Sequence, residues 1–125
     1  MHNVLLTGAG GFIGSHLAEA LVGRGVKLRA FVRYNSRGEA GLLRQLDPAV
    51  LAEIEVVSGD LADPDAVRQA ARGCDTVFHL GALISIPYSY RHPHQVVVTN
   101  VLGTLNVLLA CRDEGVGRLV HTSTS

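Results

Sequence analysis

Short apolar runs alternate along the chain with stretches whose apolar residues recur every three or four positions. This alternation is typical of strands separated by amphipathic helices. The predicted strands are Asn3–Thr7, Lys27–Val32, Ile54–Ser58, 76–80 and 118–123, and the main predicted helices are 13–23, 63–72 and 93–114. Right-handed helical crossovers join neighbouring parallel strands. The pattern therefore predicts an α/β fold, a doubly wound parallel sheet with strand order 3-2-1-4-5 and helices on both faces.

The strongest local signal is a glycine-rich turn after the first predicted strand, Thr7-Gly8-Ala9-Gly10-Gly11-Phe12-Ile13-Gly14. Glycine lets a diphosphate approach the backbone, and the next helix offers free N–H groups and the positive end of its dipole. The spacing is G-x-x-G-x-x-G. It departs from the dinucleotide fingerprint G-x-G-x-x-G, because Ile13 stands at the third glycine. The alternative is an ordinary tight turn, but the strand before it and the helix after it favour dinucleotide binding.

Composition bounds the remaining possibilities. The 125 residues fit a single domain, 1–125, and an apolar fraction of 47% is globular. A formal net charge of zero gives no argument for a nucleic acid or an anionic membrane as partner. Cys74 and Cys111 match no metal-ligand spacing and are expected to be reduced thiols. No apolar run suggests a membrane span and no signal peptide is evident, so we expect a cytoplasmic protein.

The residues after the second strand bear on the choice of dinucleotide. NAD enzymes often place an acid there to bind the ribose 2′-hydroxyl, but no acid occurs between Lys27 and Gly38. Arg33, Ser36 and Arg37 are suited instead to a 2′-phosphate, through charge-assisted hydrogen bonds. The alternative is a pair of solvated surface arginines. The pattern favours NADP over NAD.

The glycine turn resembles that of the extended short-chain dehydrogenases/reductases, the NAD-dependent epimerase/dehydratase family, whose first turn reads T-G-x-x-G-F-I-G. The similarity covers the chain from Val4 to Ser125, through Gly59-Asp60-Leu61, His79-Leu80-Gly81-Ala82, the segment 99–106 and the final Thr-Ser-Thr-Ser block. Gly81 replaces an alanine usual in this family. The resemblance implies a Rossmann-type domain that binds NAD(P).

The resemblance also implies which residues contact the cofactor. They are Gly8, Gly11, Phe12, Ile13, Gly14, Arg33, Ser36, Arg37, Asp60, Leu61, Leu80, Gly81, Ala82, Thr99 and Ser123. Asp60 and Leu61 would contact the adenine edge. From the residues alone, Asp60 is equally suited to begin a turn.

Catalytic and substrate residues are implied in the same way. Thr124 would hydrogen-bond a substrate hydroxyl with Ser125 beside it, and Asn100 would order water behind a catalytic lysine. The segment 83–93 is predicted to be a loop. Its Ser85, Pro87 and Tyr88 are candidates for a substrate wall, because loops at the carboxyl ends of strands line such sites. Alternatively, the loop packs on its own domain.

Three blocks, 31–37, 82–90 and 121–125, narrow the similarity to nucleotide-sugar 4,6-dehydratases, closest to those acting on UDP-N-acetylglucosamine or a GDP-linked counterpart in legionaminic acid pathways. The resemblance implies a nucleotide-sugar substrate and a homodimeric enzyme. A nucleotide-sugar 4-epimerase and a non-catalytic nucleotide-binding module are the alternatives.

One departure from the family is large. The catalytic Tyr-x-x-x-Lys pair does not occur, and Lys27 is the single lysine in the sequence. The chain therefore resembles the amino-terminal part of such an enzyme, with the sheet truncated after the fifth strand and without a substrate domain. We expect these residues alone to be inactive.

Overall fold

The computed structural model describes residues 1–33, 41–83 and 86–123. Five parallel strands form one sheet in the order β3-β2-β1-β4-β5. They are β1 (Asn3–Thr7), β2 (Lys27–Val32), β3 (Ile54–Ser58), β4 (Thr76–His79) and β5 (Arg118–His121). The predicted fold class and strand order are confirmed. The last two strands end earlier than predicted, at His79 and His121.

Helices connect the strands. They are α1 (Phe12–Gly23), α2 (Pro48–Leu51), α3 (Pro64–Ala71), α4 (Ile86–Arg91), α5 (Pro93–Val97) and α6 (Gly103–Asp113). A 3₁₀ helix spans Gly41–Gln45, and a π-helical segment, Val98–Leu102, joins α5 to α6. Asp47 and Asp63 begin α2 and α3, each with a carboxylate that accepts a backbone N–H and a proline next in sequence. The predicted loop at 83–93 is wrong in part, because α4 occupies 86–91.

The central strand β1 is buried on both faces because helices cover both sides of the sheet. Leu6 belongs to a hydrophobic cluster with Leu21 of α1, whereas its neighbour Leu5 belongs to a second cluster with Val67 of α3 and Val107 of α6. Successive side chains of a strand point to opposite faces, which explains this division. Two such layers make β1 the rigid centre from which the glycine turn emerges.

The register of the sheet brings the strand ends to one level. Thr7 at the end of β1 pairs with Phe31 of β2 on one side and with His79 of β4 on the other. At the opposite edge, the Asp75 carboxylate accepts the backbone N–H groups of His2 and Asn3 at 2.9 and 2.8 Å. These bonds lower the pKa of Asp75 to about 2. The carboxyl ends of β1, β2 and β4 therefore share one edge of the sheet.

The helix Pro93–Asp113, hereafter the long helix, combines α5, the π-helical segment and α6. Its 21 residues, with a mean hydropathy of 1.4, are long and apolar enough to cross a membrane by length and composition, contrary to the sequence-based expectation. One such helix is weak evidence for a span, because core helices of soluble proteins pass the same test. Here one side faces the domain, where Asn106 Nδ2 donates to the Leu61 carbonyl at 2.8 Å. The other side exposes Val97, Val101, Leu105 and Leu108.

Candidate functional site

A cleft of about 560 Å³ lies at the carboxyl edge of the sheet, above the ends of β1, β2 and β4. Its lining comprises Gly8, Gly10, Gly11, Phe12, Ile13, Gly14, Phe31, Val32, Arg33, Gly41, Gly59, Asp60, Leu61, Leu80, Gly81, Ala82, Leu83, Thr99 and Thr122. This is the edge at which open parallel α/β sheets bind their ligands. The fold thus brings together residues from the ends of all five strands and from the long helix.

Two of the three predicted glycines are required by packing. Gly8 has a φ of +73°, and a Cβ there would lie 2.7 Å from the backbone nitrogen of Gly81. At Gly14 a Cβ would lie 2.0 Å from the Gly8 carbonyl oxygen, because α1 packs directly on the turn. Both positions exclude a side chain for reasons of fold.

Gly11 differs from these two glycines. Its backbone is extended, with φ −81° and ψ 176°, which any residue can adopt. Among the described residues, a Cβ at Gly11 would meet the Gly8 carbonyl oxygen alone, at 3.4 Å, and Gly11 lines the cleft. Packing therefore does not explain why position 11 lacks a side chain. Access of a ligand to the backbone would explain it.

The N-terminus of α1 opens into the same cleft. Gly11 is its N-cap residue and supplies no side-chain cap, and the first turn carries no acidic residue. The first N–H groups of a helix have no partner within the helix and carry the positive end of its dipole. Phe12, Ile13 and Gly14 line the cleft at this turn. The arrangement can therefore bind an anionic group such as a diphosphate.

A hydrogen-bond network beneath the cleft ties the tip of β4 to β1. The Thr7 hydroxyl oxygen accepts the backbone N–H of Leu80 at 3.1 Å and that of Gly81 at 3.0 Å. The Thr7 hydroxyl also lies 2.6 Å from His79 Nδ1. The role of Thr7 was missed by the sequence reasoning. The signal in the sequence was a polar residue, Thr7, that directly follows the apolar run Val4–Leu6 at the carboxyl end of the strand.

His79 completes this network and is only 2% exposed. Its Nε2 lies 3.1 Å from the Thr104 hydroxyl of α6, and its ring stacks on that of His121 at 5.3 Å. Burial, with a smaller contribution from His121, lowers the pKa of His79 to about 4. The imidazole is therefore neutral at pH 7.

This shift makes the stability of the fold depend on pH. The pKa of His79 falls to about 4 on folding, below the 6.5 of an ordinary histidine, so its contribution is complete above pH 6.5 and is lost as the pH falls towards 4. When the pH falls from about 7 to 5, we expect the unfolding free energy of the parent to drop by on the order of 2 kcal/mol more than that of His79→Gln, which lacks this titrating group. Urea titrations of both proteins at the two pH values measure this difference. Equal losses in parent and variant would contradict it.

The predicted adenine contacts line the part of the cleft that lies at the carboxyl ends of β2 and β3. Asp60 lines the cleft, and its Oδ1 accepts the Ala62 N–H at 2.9 Å, so it both faces the site and begins the turn into α3. Leu61 lies beside it and is largely buried. Gly59 packs closely against the Phe31 ring, since a Cβ at Gly59 would lie 2.7 Å from the ring. Arg33 is exposed at the rim of the cleft.

The 3₁₀ helix supplies a contact that the sequence did not reveal. The Leu42 N–H donates to the Gly10 carbonyl at 2.9 Å. Gly41, with a φ of +65°, approaches so closely that a Cβ would lie 2.6 Å from the same oxygen. Leu43 anchors this helix in the core with no exposed surface. The glycine turn is therefore held from both β4 and the segment that follows β2.

Thr99 and Asn100 lie in the π-helical segment of the long helix. Thr99 lines the cleft. The Asn100 side chain bonds both backbone groups of Leu83, since Oδ1 accepts the N–H and Nδ2 donates to the carbonyl, each at 2.8 Å. Such π-bulges occur frequently at functional sites. Asn100 thus anchors the segment leaving β4, and the water-ordering role implied by the resemblance stays a prediction.

Other predicted residues lie elsewhere. Pro87 and Tyr88 are on α4, outside the cleft lining, and the Tyr88 hydroxyl donates to Gln95. Ser123 is exposed, and its neighbour Thr122 lines the cleft instead. Five further predicted site residues lie outside the described residues: Ser36, Arg37, Ser85, Thr124 and Ser125.

The chemistry of the cleft is that of a binding site. Among its described lining residues, the titratable side chains are Arg33 and Asp60. Within the described ranges, no group of histidine, cysteine and acidic side chains has the arrangement of a metal site. The main features are free backbone N–H groups, small residues and an apolar wall, which suit a dinucleotide.

Comparison with known proteins gives relatives across nearly the whole chain. The family model described as GDP-mannose 4,6 dehydratase matches residues 5–125. A 2-alkyl-3-oxoalkanoate reductase of Stenotrophomonas maltophilia is 45% identical over 97% of this chain and 33% of its own length. The chain thus spans about a third of the length of the curated relatives that it matches.

Solved structures give the same result. A UDP-glucose 4-epimerase of Thermus thermophilus, solved as a complex with NAD, has a TM-score of 0.80 and 34% identity over 98% of this chain and 37% of its own. A UDP-N-acetylglucosamine 4-epimerase of Methanobrevibacter ruminantium, in complex with UDP-N-acetylmuramic acid, has a TM-score of 0.83 and 30% identity, covering 99% and 38%. The matching family model, the sheet order and the glycine turn agree, and the chain belongs to the NAD-dependent epimerase/dehydratase family of extended short-chain dehydrogenases/reductases.

Proposed function

We propose that this chain binds NAD(P) in the cleft at the carboxyl edge of its sheet. The observation that carries the proposal is the uncapped N-terminus of α1 at Gly11, which opens into the cleft with no packing reason to lack a side chain. The diphosphate would accept the N–H groups of the first turn, and the adenine would lie against Asp60 and Leu61. The Thermus thermophilus relative, solved with NAD, supports this assignment. Isothermal titration with NAD and NADP tests it, and binding of neither would refute it.

Arg33 is the described residue that we propose discriminates between the two dinucleotides. It is exposed at the rim of the cleft, at the end of β2, where a ribose 2′-phosphate would lie. We expect Arg33→Ala to weaken NADP binding roughly ten- to hundredfold more than NAD binding, since a hydrogen bond to a charged group contributes about 1.5–3 kcal/mol. Arg24→Ala, at the exposed C-terminal end of α1, is the matched control. Equal losses for the two dinucleotides would reduce Arg33 to a general positive charge.

For the enzyme that contains these residues, we propose nucleotide-sugar 4,6-dehydratase activity, with UDP-N-acetylglucosamine as the substrate. The family model described as GDP-mannose 4,6 dehydratase supports the reaction class. A dinucleotide held in this cleft would supply reversible hydride transfer between carbons 4 and 6 of the sugar, for a reaction in which water is eliminated across carbons 5 and 6. The residues of this chain would hold and orient the dinucleotide and exclude water along the apolar wall of the cleft.

A nucleotide-sugar 4-epimerase is the second candidate, and it is favoured by epimerases among the solved relatives, such as those of Thermus thermophilus and Methanobrevibacter ruminantium. A ketoreductase is the third, favoured by the Stenotrophomonas maltophilia relative. Incubating the product of the whole gene with NAD and UDP-N-acetylglucosamine separates them. A 4-keto-6-deoxy sugar would support dehydration, and a 4-epimer would support epimerisation. Neither product, together with NADPH-dependent reduction of a 3-oxoacid, would support the reductase.

We also propose that the enzyme is a homodimer through the exposed side of the long helix. Val97, Val101, Leu105 and Leu108 recur every three or four residues there, and no Lys, Arg, Asp or Glu occurs between Pro93 and Cys111. A twofold axis would place the same apolar stripe of a second copy against this one.

The dimer proposal predicts the effect of one charge on the stripe. We expect Leu105→Glu to raise the dimer dissociation constant roughly 100-fold, because an unpaired carboxylate would be buried between the two helices. Ala20→Glu, on the exposed face of α1, is the control. Sedimentation velocity measures both variants. A monomeric parent that binds lipid vesicles through the long helix would overturn the proposal.

A further inference from the structure

The network around His79 determines which ring nitrogen carries the proton. The Thr7 hydroxyl oxygen has two lone pairs, and the N–H groups of Leu80 and Gly81 both point at it. The Leu80 N–H also donates to the Thr7 carbonyl oxygen, at 3.3 Å, whereas the Gly81 N–H donates to the Thr7 hydroxyl oxygen. If His79 Nδ1 also donated, the Thr7 proton would have no acceptor among the described residues. Thr7 therefore donates to His79, and Nδ1 is unprotonated.

The other nitrogen leads to the same conclusion independently. The Thr104 hydroxyl donates its only proton to the Asn100 carbonyl at 2.7 Å. His79 Nε2, at 3.1 Å, must then donate to Thr104 rather than accept from it. The hydrogen bonds at Nδ1 and at Nε2 therefore indicate the same neutral tautomer, with the proton on Nε2.

The consequences of this tautomer extend into the cleft. The Thr7 hydroxyl supports the backbone of the β4 tip, where Leu80 and Gly81 line the cleft. That tip touches the glycine turn so closely that a Cβ at Gly8 would lie 2.7 Å from Leu80 and Gly81 backbone atoms. Direct contacts therefore link the imidazole to Thr7, Thr7 to the β4 tip, and the β4 tip to the glycine turn.

We propose that His79 is a positioning residue for dinucleotide binding, a neutral imidazole protonated on Nε2 that connects the long helix, β1 and the tip of β4 into one rigid floor. The inference rests on the proposed binding of NAD(P) in this cleft. His79 itself does not line the cleft, so it acts through Thr7 and the backbone of Leu80 and Gly81.

The surroundings of the ring favour the neutral form. The described side chains that hydrogen-bond to the ring or stack on it are Thr7 from β1, Thr104 from α6 and His121 from β5, and of these three His121 is titratable. No carboxylate among these contacts would stabilise an imidazolium. Protonation of Nδ1 would also direct two hydrogens at each other between His79 and Thr7, which would break the support of the β4 tip.

The experiment removes one of the two hydroxyls bonded to the His79 ring, the one that lies outside the cleft lining. Thr104 is partly buried and lies outside the cleft lining, and Thr104→Val keeps its shape but leaves the His79 Nε2–H without a partner. We expect NAD binding to weaken roughly tenfold, and Thr104→Ser to restore it. His94→Gln, at an exposed position of the long helix, should leave affinity unchanged.

A second readout does not depend on the variants. The two-bond proton–nitrogen NMR spectrum of the parent protein should show His79 protonated on Nε2 at neutral pH. A proton on Nδ1, or a folded Thr104→Val protein that binds NAD as tightly as the parent, would overturn the inference. Failure of the parent to bind NAD would instead refute the proposed function.

Discussion

Replacing Gly11 by valine is expected to lower the affinity for NAD by at least ~100-fold, or about 2.8 kcal/mol, while the domain stays folded. The branched side chain would project into the cleft above the first turn of α1, where we propose that the diphosphate contacts the backbone. The fold should tolerate it, because the backbone is extended there and the nearest atom to a new Cβ lies at 3.4 Å.

The same helix offers a matched control. Gly23 ends α1, and nothing lies within 4 Å of a Cβ built there, so Gly23→Val makes the same chemical change far from the cleft. Its affinity for NAD should equal that of the parent. Calorimetric titration measures both variants, and thermal unfolding confirms that each is folded. A Gly11→Val protein that bound NAD like the parent would refute the assignment of the diphosphate site.

The polypeptide of 125 residues is expected to convert no nucleotide sugar at a measurable rate. It contains no Tyr-x-x-x-Lys, and the described lining of its cleft offers Arg33 and Asp60 as titratable groups. Asp60 already accepts the Ala62 N–H. General-base assistance typically contributes ~10²–10⁴-fold to a rate, and substrate positioning contributes more. A chain without either should retain binding and lose turnover.

The measurement separates binding from chemistry. The purified polypeptide is incubated with NAD(P) and UDP-N-acetylglucosamine, and the 4-keto-6-deoxy product is sought by mass spectrometry. NAD binding without product is the expected result. Product formation that Gly11→Val abolishes would show that these residues suffice for catalysis. The product of the whole gene, assayed in parallel, is the positive control for the dehydratase proposal.

Much of this fold could be predicted because local patterns and global architecture agree. The apolar runs of β1, β2 and β3 begin and end where the sequence predicted, since turn residues bound each run. The start of α3 at Asp63-Pro64 was equally predictable, because N-capping depends on residues that are neighbours in the sequence. The predictions weakened at 83–93, where apolar and aromatic residues form a short helix without a clear start signal.

The candidate site could be predicted only in part from the sequence. The glycine turn was predictable because its pattern lies in consecutive residues. The contacts of Leu42 with Gly10 and of Thr7 with Gly81 instead join residues 32 and 74 positions apart. Such contacts depend on register and on packing of whole elements, which local propensity does not encode. The roles of Thr7, Gly41 and Thr122 emerged for this reason only in three dimensions.

By itself, the sequence determined the α/β class, the strand order and the glycine turn, because hydrophobic period, crossover handedness and glycine conformation act locally or by general rule. The tertiary structure decided what each glycine does. Gly8 and Gly14 are small because backbone atoms crowd them, whereas Gly11 faces open space in the cleft. It also decided the tautomer of His79, since that depends on donors and acceptors which three separate elements bring to one point.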